Sequence, residues 1–322
     1  MKSLVWHGDR ELAIEEQDDP RPVAGQVLLD VSIAGICGSD LHGYRGHPGP
    51  RVPPLVLGHE AVGTVQGRAG RFVPFPIVAC GRCRACRDGQ QQLCETRGLL
   101  GLDRPGVFAE RVAVGEDALV AVPDRLSDEV AVLTEPYAVG LAAANADAVG
   151  AADRVLVIGG GTIGALTAHA ASRAGARVTA VDPVPLRREV VARHGAEEVL
   201  DDVAELPDGA FDVVVDAVGI EATVQAAVRA SRRGGTVTIV GLGAAEGVLP
   251  IAALVREGLT LRGHYAYTRA DFEQAVEVLA DDPPPLDWVT TMPLDEGARG
   301  FAGLTDRPDA FAKVVLEVRE PR

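Results

Sequence analysis

Lysine is nearly missing from this chain of 322 residues. It stands only at positions 2 and 313, so 29 of the 31 basic residues are arginine. Together with abundant alanine, that skew points to a GC-rich bacterial genome and says nothing about mechanism. Basic charge is short overall: against 46 acidic residues it leaves a formal net charge of −15, which argues against a surface built for nucleic acid or an anionic membrane. No apolar run reaches the roughly 20 residues of a membrane span, and Met1-Lys2-Ser3-Leu4-Val5-Trp6 reads as the start of a strand rather than a signal peptide. A soluble, cytoplasmic protein is expected. Cysteine is scarce too, with five in all.

Their placement is the first positive signal. Cys80, Cys83, Cys86 and Cys94 fall within 15 residues, in Cys-Gly-Arg-Cys-Arg-Ala-Cys and then eight positions on. In an intracellular protein such spacing reads as a closed four-thiolate zinc site, with two disulfides as the less fitting alternative. Arg82, Arg84 and Arg87 interleave the ligands and would offset the charge of a tetrathiolate. That leaves Cys37 free to serve a second metal.

Cys37 opens Cys37-Gly38-Ser39-Asp40-Leu41-His42, and 22 residues later the chain reads Gly58-His59-Glu60-Ala61-Val62-Gly63, with a Gly- and Pro-rich loop between. Thiolate, imidazole and carboxylate are the ligands zinc prefers, and three of them leave one position open for water or substrate. Two separate segments must fold together to build this site. His59 and Glu60 are adjacent, so in an extended segment they point to opposite faces, and only a bend would let both face one ion.

The length suggests two domains. Short alternating runs at 3–7, 11–15, 26–34, 61–65, 71–75 and 109–114 read as strands, making the first 120 or so residues an all-β barrel with 79–97 as an excursion. Beyond Pro123 the text turns alanine-rich. Arg154 to Ile158 is a β-branched strand leading into Gly159-Gly160-Gly161-Thr162-Ile163-Gly164, then helical text from Ala165 to Ala174, then a strand ending at Asp182. Strand, glycine turn, helix, strand and acid form a dinucleotide-binding pattern. Gly159 permits the tight turn, Gly161 lets the backbone approach a pyrophosphate, Gly164 lets helix and strand pack closely, and the helix start beyond Thr162 and Ile163 offers N–H groups to the phosphates. Asp182 would meet the adenosine ribose and repel a 2′-phosphate, favouring NAD over NADP, although Arg187 and Arg188 could accept that phosphate. The strand–helix alternation continues to about 263. Val218, Val240 and Leu242, at carboxyl ends of strands, are candidate nicotinamide neighbours. The tail holds one amphipathic helix (271–280), a Pro-rich turn at 283–285 and a last strand, 313–318.

Taken together, these residues resemble the zinc-dependent medium-chain alcohol and polyol dehydrogenases over nearly the whole chain. The resemblance implies an α/β protein: a GroES-like β-barrel catalytic domain (1–138 and 265–322, with the zinc lobe 79–97) plus a Rossmann domain with a doubly wound parallel sheet (139–264) binding NAD(P). The active site would lie in the cleft between them. It implies two zinc ions, one structural and one catalytic, the latter on Cys37 and His59 with Glu60 as ligand or exchangeable neighbour. Glu135, in Thr-Glu-Pro, stands where polyol-type members place a glutamate and simple alcohol dehydrogenases a cysteine. Asp40 would hold the far nitrogen of His59, and Lys313 would meet the pyrophosphate. Ser39 would take the substrate proton and pass it through the cofactor ribose to His42. Tyr44, His264 and Tyr265 are candidates for the substrate pocket, and His7, His47, His169 and His194 carry no such context. One departure is the short link Gln66 to Val73, which lacks the family's usual aspartate. The implied reaction is hydride transfer between a secondary alcohol (a polyol, sugar alcohol or cyclitol) and NAD, in a homodimer or homotetramer. An epimerase acting by transient oxidation is the alternative within enzymes, and a binding protein that kept the fold is the alternative outside them.

Overall fold

The computed structural model describes residues 1–47 and 49–319. The chain divides into two compact units, Met1–Glu135 with Thr268–Arg322, and Pro136–Tyr267.

The second unit is built on six parallel strands in the order Ala196–Leu200, Arg177–Val181, Arg154–Ile158, Phe211–Asp216, Ser231–Ile239, Thr260–Gly263. Counted along the chain this is 3-2-1-4-5-6, the doubly wound order of dinucleotide-binding sheets. The central strands are buried on both faces, as continuous β-branched runs require. Alternation divides them: Val155, Val157, Val178, Ala180, Val213 and Val215 enter one core, while Leu156, Ile158, Val181, Val214 and Val237 enter the other.

The first unit is mostly antiparallel. Gln26–Gly35 lies at the middle of a seven-stranded sheet, pairing with Glu60–Val65, Arg111–Gly115 and Lys313–Glu317. Its core gathers Leu29, Val31, Phe108, Phe301, Val314 and Leu316. The tail thus returns to the sheet that the first residues build. Among the described residues, no helix is long and apolar enough to cross a membrane.

Beyond the short helices Gly38–Tyr44 and Ile251–Arg256, three further elements depart from the sequence expectation. The glycine-rich helix begins at Thr162, not Ala165, because Gly161 already serves as its N-cap. The tail holds an extra strand, Val289–Pro293, paired in parallel with Lys313–Glu317. It also holds a second helix, Gly297–Asp306.

Candidate active site

Cys37 is the N-cap of the short helix Gly38–Tyr44, with extended backbone angles. Its N–H donates to Asp40 Oδ2 at 3.1 Å, which ties the cysteine to the first helical turn. His59 ends the loop before the strand Glu60–Val65, and Glu60 opens that strand. Gly58, at φ +93°, turns the chain into His59, and a Cβ there would lie 2.7 Å from the Phe108 ring. His59 and Glu60 nonetheless both bring a donor atom close to Cys37. The sulfur, an imidazole nitrogen and a carboxylate oxygen all lie within 4.8 Å of one another.

The surroundings favour a cation. His59 is 3% exposed, and Asp40 and Glu60 are buried. Burial by itself pulls the imidazole down. The Asp40 carboxylate, the Cys37 sulfur in hydrogen-bonding contact and the Glu135 carboxylate outweigh it, holding His59 well above its ordinary value. Asp40 Oδ1, His59 Nδ1 and Glu60 Oε1 are buried without a hydrogen-bond partner. Orphaned polar atoms in such a place are costly, and a thiolate–imidazole–carboxylate set suits zinc. The residues fit the ion.

Glu135, in the first turn of the helix Thr134–Ala146, acts on His59 electrostatically but is not of the close group. Asp40 Oδ1 stands 3.7 Å from His59 Nδ1, in ion-pair range and outside hydrogen-bond distance. Ser39 is half-buried and His42 exposed. They sit three residues apart and share one side of the helix. Partial loss of solvent, then the cationic neighbours Arg45, His47 and Arg51, lower the His42 imidazole.

Two expectations for this unit need correction. Lys313 is not poised for a pyrophosphate: it is 1% exposed, and its Nζ donates to Ile36 O at 2.9 Å and to Glu60 Oε2 at 2.5 Å. An ammonium buried among those acceptors serves Glu60. Tyr44 does not line a pocket either, being packed in the core with its ring 5.4 Å from that of Phe301. His264 Nε2 lies 3.0 Å from Ala266 O, and Tyr265 is partly exposed.

In the four-cysteine lobe, all four thiols are free and mutually within 4.8 Å. Cys83 Sγ and Cys86 Sγ are 3.5 Å apart, and Cys80 Sγ and Cys86 Sγ 3.9 Å. A tetrahedron with metal–sulfur bonds of about 2.3 Å has edges of about 3.8 Å. Backbone N–H groups of Arg82 and Cys83 lower Cys80 to about 6. Loss of solvent and the neighbouring sulfurs push Cys86 up to about 12.

The second unit carries the dinucleotide pattern at the carboxyl end of Arg154–Ile158. Gly159 takes φ +96°, and a Cβ on Gly164 would fall 1.7 Å from Gly159 O, so neither tolerates a side chain. A Cβ on Gly161 would meet nothing within 4 Å, leaving the open approach that a pyrophosphate needs. Asp182 closes the turn: its Oδ2 accepts from Gly160 N–H and its Oδ1 from Val184 N–H, each at 2.8 Å. Arg187 stands 3.9 Å from Asp182 Oδ2, while Arg188 donates to the carbonyls of Asp182 and Pro183. Val218 packs beside Gly159. Val240 is half-buried and Leu242 is 74% exposed.

Sequence reasoning missed Asp216. Fully buried, it accepts from Val218 N–H, Gly219 N–H and Thr223 Oγ1, fixing the turn that carries Val218. An acid ending a strand before Ala-Val-Gly was the available signal. It also missed Arg51, a lone arginine in a Pro- and Gly-rich loop that no motif marks.

Asp182→Asn removes the charge and, because an amide accepts through its oxygen alone, one of the two backbone hydrogen bonds; it is expected to raise the NADP:NAD ratio of kcat/KM about a hundredfold. That corresponds to about 2.7 kcal/mol of relieved repulsion. Steady-state kinetics with both cofactors checks it, and an unchanged ratio refutes the role.

Comparison with known proteins agrees with both units. The family described as alcohol dehydrogenase GroES-like domain matches residues 23–124, and that described as zinc-binding dehydrogenase matches 162–281. Sorbitol dehydrogenase of Bacillus subtilis (strain 168) is 32% identical over 87% of this chain and 86% of its own. An alcohol dehydrogenase of Escherichia coli CFT073, solved with NADH, superposes with a TM-score of 0.91 at 25% identity over 99% of each chain. A zinc-binding dehydrogenase of Sinorhizobium meliloti 1021, solved with NADP, gives a TM-score of 0.90 at 28% identity over 98% of this chain and 99% of its own.

Proposed function

Because the chain belongs to the zinc-binding medium-chain alcohol dehydrogenases, we propose that it oxidises a secondary alcohol, with a polyol or sugar alcohol favoured, using NAD. One observation carries this reading: Cys37 and His59, 22 positions apart, converge with Glu60 into one group of zinc-type donors. Glu135 in place of a cysteine, and the likeness to a sorbitol dehydrogenase, support a polyhydroxylated substrate. Asp182 at the glycine turn supports NAD.

Cys37 and His59 would hold the catalytic zinc with a carboxylate from Glu60 or Glu135, and the four thiols of the lobe a structural one. When bound, zinc makes an alcohol acidic near neutral pH, and nicotinamide accepts the hydride from its carbon. Ser39 Oγ takes the substrate proton. His42, neutral at pH 7 because its pKa is lowered, takes up the proton at the surface and releases it to solvent. Lys313 balances the buried Glu60. The glycine turn and the start of the helix Thr162–Arg173 hold the cofactor's phosphates. A homodimer or homotetramer is the proposed assembly. It is supported by the sheet ending at Thr260–Gly263, with Ile251 and Val255 exposed on the preceding helix.

A screen of secondary alcohols and polyols with zinc-loaded protein, read by NADH or NADPH absorbance, tests the reading. Reduction of NAD by polyols is expected. No reduced cofactor from any of them would overturn it.

A further inference from the structure

Two carboxylates flank the candidate zinc donors, and each is buried with a cation of its own. Glu60 has Lys313. Asp40 has Arg51, whose Nη2 lies 3.5 Å from Asp40 Oδ1. Arg51 is almost fully buried; the same Nη2 donates to Ser39 Oγ at 3.4 Å, and Nε donates to Gly101 O at 3.1 Å. Its stem crosses Gly43, where a Cβ would stand 3.0 Å from Arg51 Cδ, so the helix leaves room for it. A guanidinium removed from water at this cost needs a compensating geometry, and the planar fork provides one by donating to two acceptors while standing in ion-pair range of the Asp40 carboxylate.

We propose that Arg51 is a positioning residue that couples the metal side of the site to its proton-relay side, through Asp40 and Ser39 respectively.

Asp40 Oδ1 lies between the guanidinium and His59 Nδ1, at 3.5 and 3.7 Å. Its second oxygen is held by Cys37 N–H. Arg51 thus neutralises the carboxylate in ion-pair range of a candidate ligand, the kind of outer partner whose loss weakens metal sites. On the other side, Arg51 fills one lone pair of Ser39 Oγ. That fixes the hydroxyl rotor, leaving the remaining lone pair to accept the substrate proton and the hydroxyl hydrogen to be passed on. The Gly101 carbonyl anchors the same guanidinium to a backbone turn pressed against Gly58, the residue before His59: a Cβ on Gly101 would lie 2.5 Å from Gly58 N.

The inference rests on the proposed catalytic zinc and is tested with the full chain. Zinc retention is titrated against a chelator, the lobe's equivalent serving as internal reference, beside kcat and KM for alcohol and NAD. Arg51→Met is expected to release the catalytic equivalent at roughly tenfold lower chelator and to lose about 10–100-fold in kcat, with KM for NAD within about twofold. Arg51→Lys restores the charge beside Asp40 but not the fork, so it should retain zinc like wild type while kcat stays at least about tenfold down. Wild-type zinc retention and kcat in Arg51→Met overturn the proposal. So does a lowered melting temperature in both variants with neither readout moved. Should Arg51→Met fail to fold, Arg51→Lys decides alone, and wild-type kcat in it overturns the coupling. A wild-type protein lacking zinc at Cys37 and His59 would instead remove the metal reading, and this is seen before any variant is made.

Discussion

His59→Ala is expected to reduce alcohol oxidation about a thousandfold or more, lower zinc from two equivalents per chain to one, and leave the fold intact. Lewis-acid stabilisation of a developing alkoxide contributes several kcal/mol, and about 4 kcal/mol corresponds to about a thousandfold in rate. The fold should survive because His59 belongs to none of the apolar clusters. Its neighbours are Cys37, Asp40 and Glu60 rather than a packed core. The glycine turn and Asp182 lie in the other unit, so NADH affinity should hold within about twofold. The same ring gives the site a pH signature. With its proton affinity raised above the ordinary 6.5, His59 keeps its proton to higher pH than free imidazole, and proton and zinc compete for it. Zinc loading should therefore weaken as pH falls, starting above 6.5, and uptake at neutral pH should release protons. Full turnover in His59→Ala, or a zinc affinity of this site that does not change as the pH falls, would refute the role.

What could be read beforehand follows from what each signal depends on. The glycine turn was legible because Gly159 and Gly164 are demanded by local geometry: one needs a positive φ, and the other tolerates no Cβ against Gly159 O. The thiol lobe was legible because its ligands are close in sequence. The convergence of Cys37 with His59 could be inferred only from donor chemistry, since it depends on the pairing of Gln26–Gly35 with Glu60–Val65. The role of Lys313 was not legible at all. A lysine before an apolar strand looks available to any anion, and only the antiparallel pairing of Lys313–Glu317 with Gln26–Gly35 buries it beneath Glu60. The helix Gly297–Asp306 was invisible for a different reason. Gly297, Gly300 and Gly303 cost it roughly 1 kcal/mol each in propensity, yet they form one face. A Cβ on each would lie 2.4 Å from Leu4, 3.0 Å from Val314 and 2.9 Å from Phe311. Tertiary packing selects those glycines, and no local pattern announces it. Arg51 escaped similarly, because its partners come from two segments distant in sequence, the helix Gly38–Tyr44 and the turn at Gly101.

Cys94→Ser should cost about one zinc per chain and loosen the lobe 79–97 without touching the second unit. Among the lobe's residues only Gln92 and Cys94 are buried. Its regular structure amounts to the four-residue helix Arg84–Arg87 and the single turn Gln91–Leu93. Apolar packing therefore cannot hold it, and four sulfurs around one ion can. Such an ion contributes folding free energy directly, because the unfolded segment offers no preformed site. The ribbon Ile77–Val78 with Gly98–Leu99 joins the lobe to the first unit, and Leu100 beyond it enters the core, so loosening should stop there. Arg82, Arg84 and Arg87 are already exposed between the thiols, and what protects them from trypsin is the conformation the sulfurs impose. In the wild-type protein, limited trypsin is expected to spare these sites until zinc is stripped by a strong chelator. In Cys94→Ser it should cut there at once, while the glycine turn still binds NADH. A variant with unchanged metal content and unchanged resistance to trypsin would mean that the four thiols hold no ion.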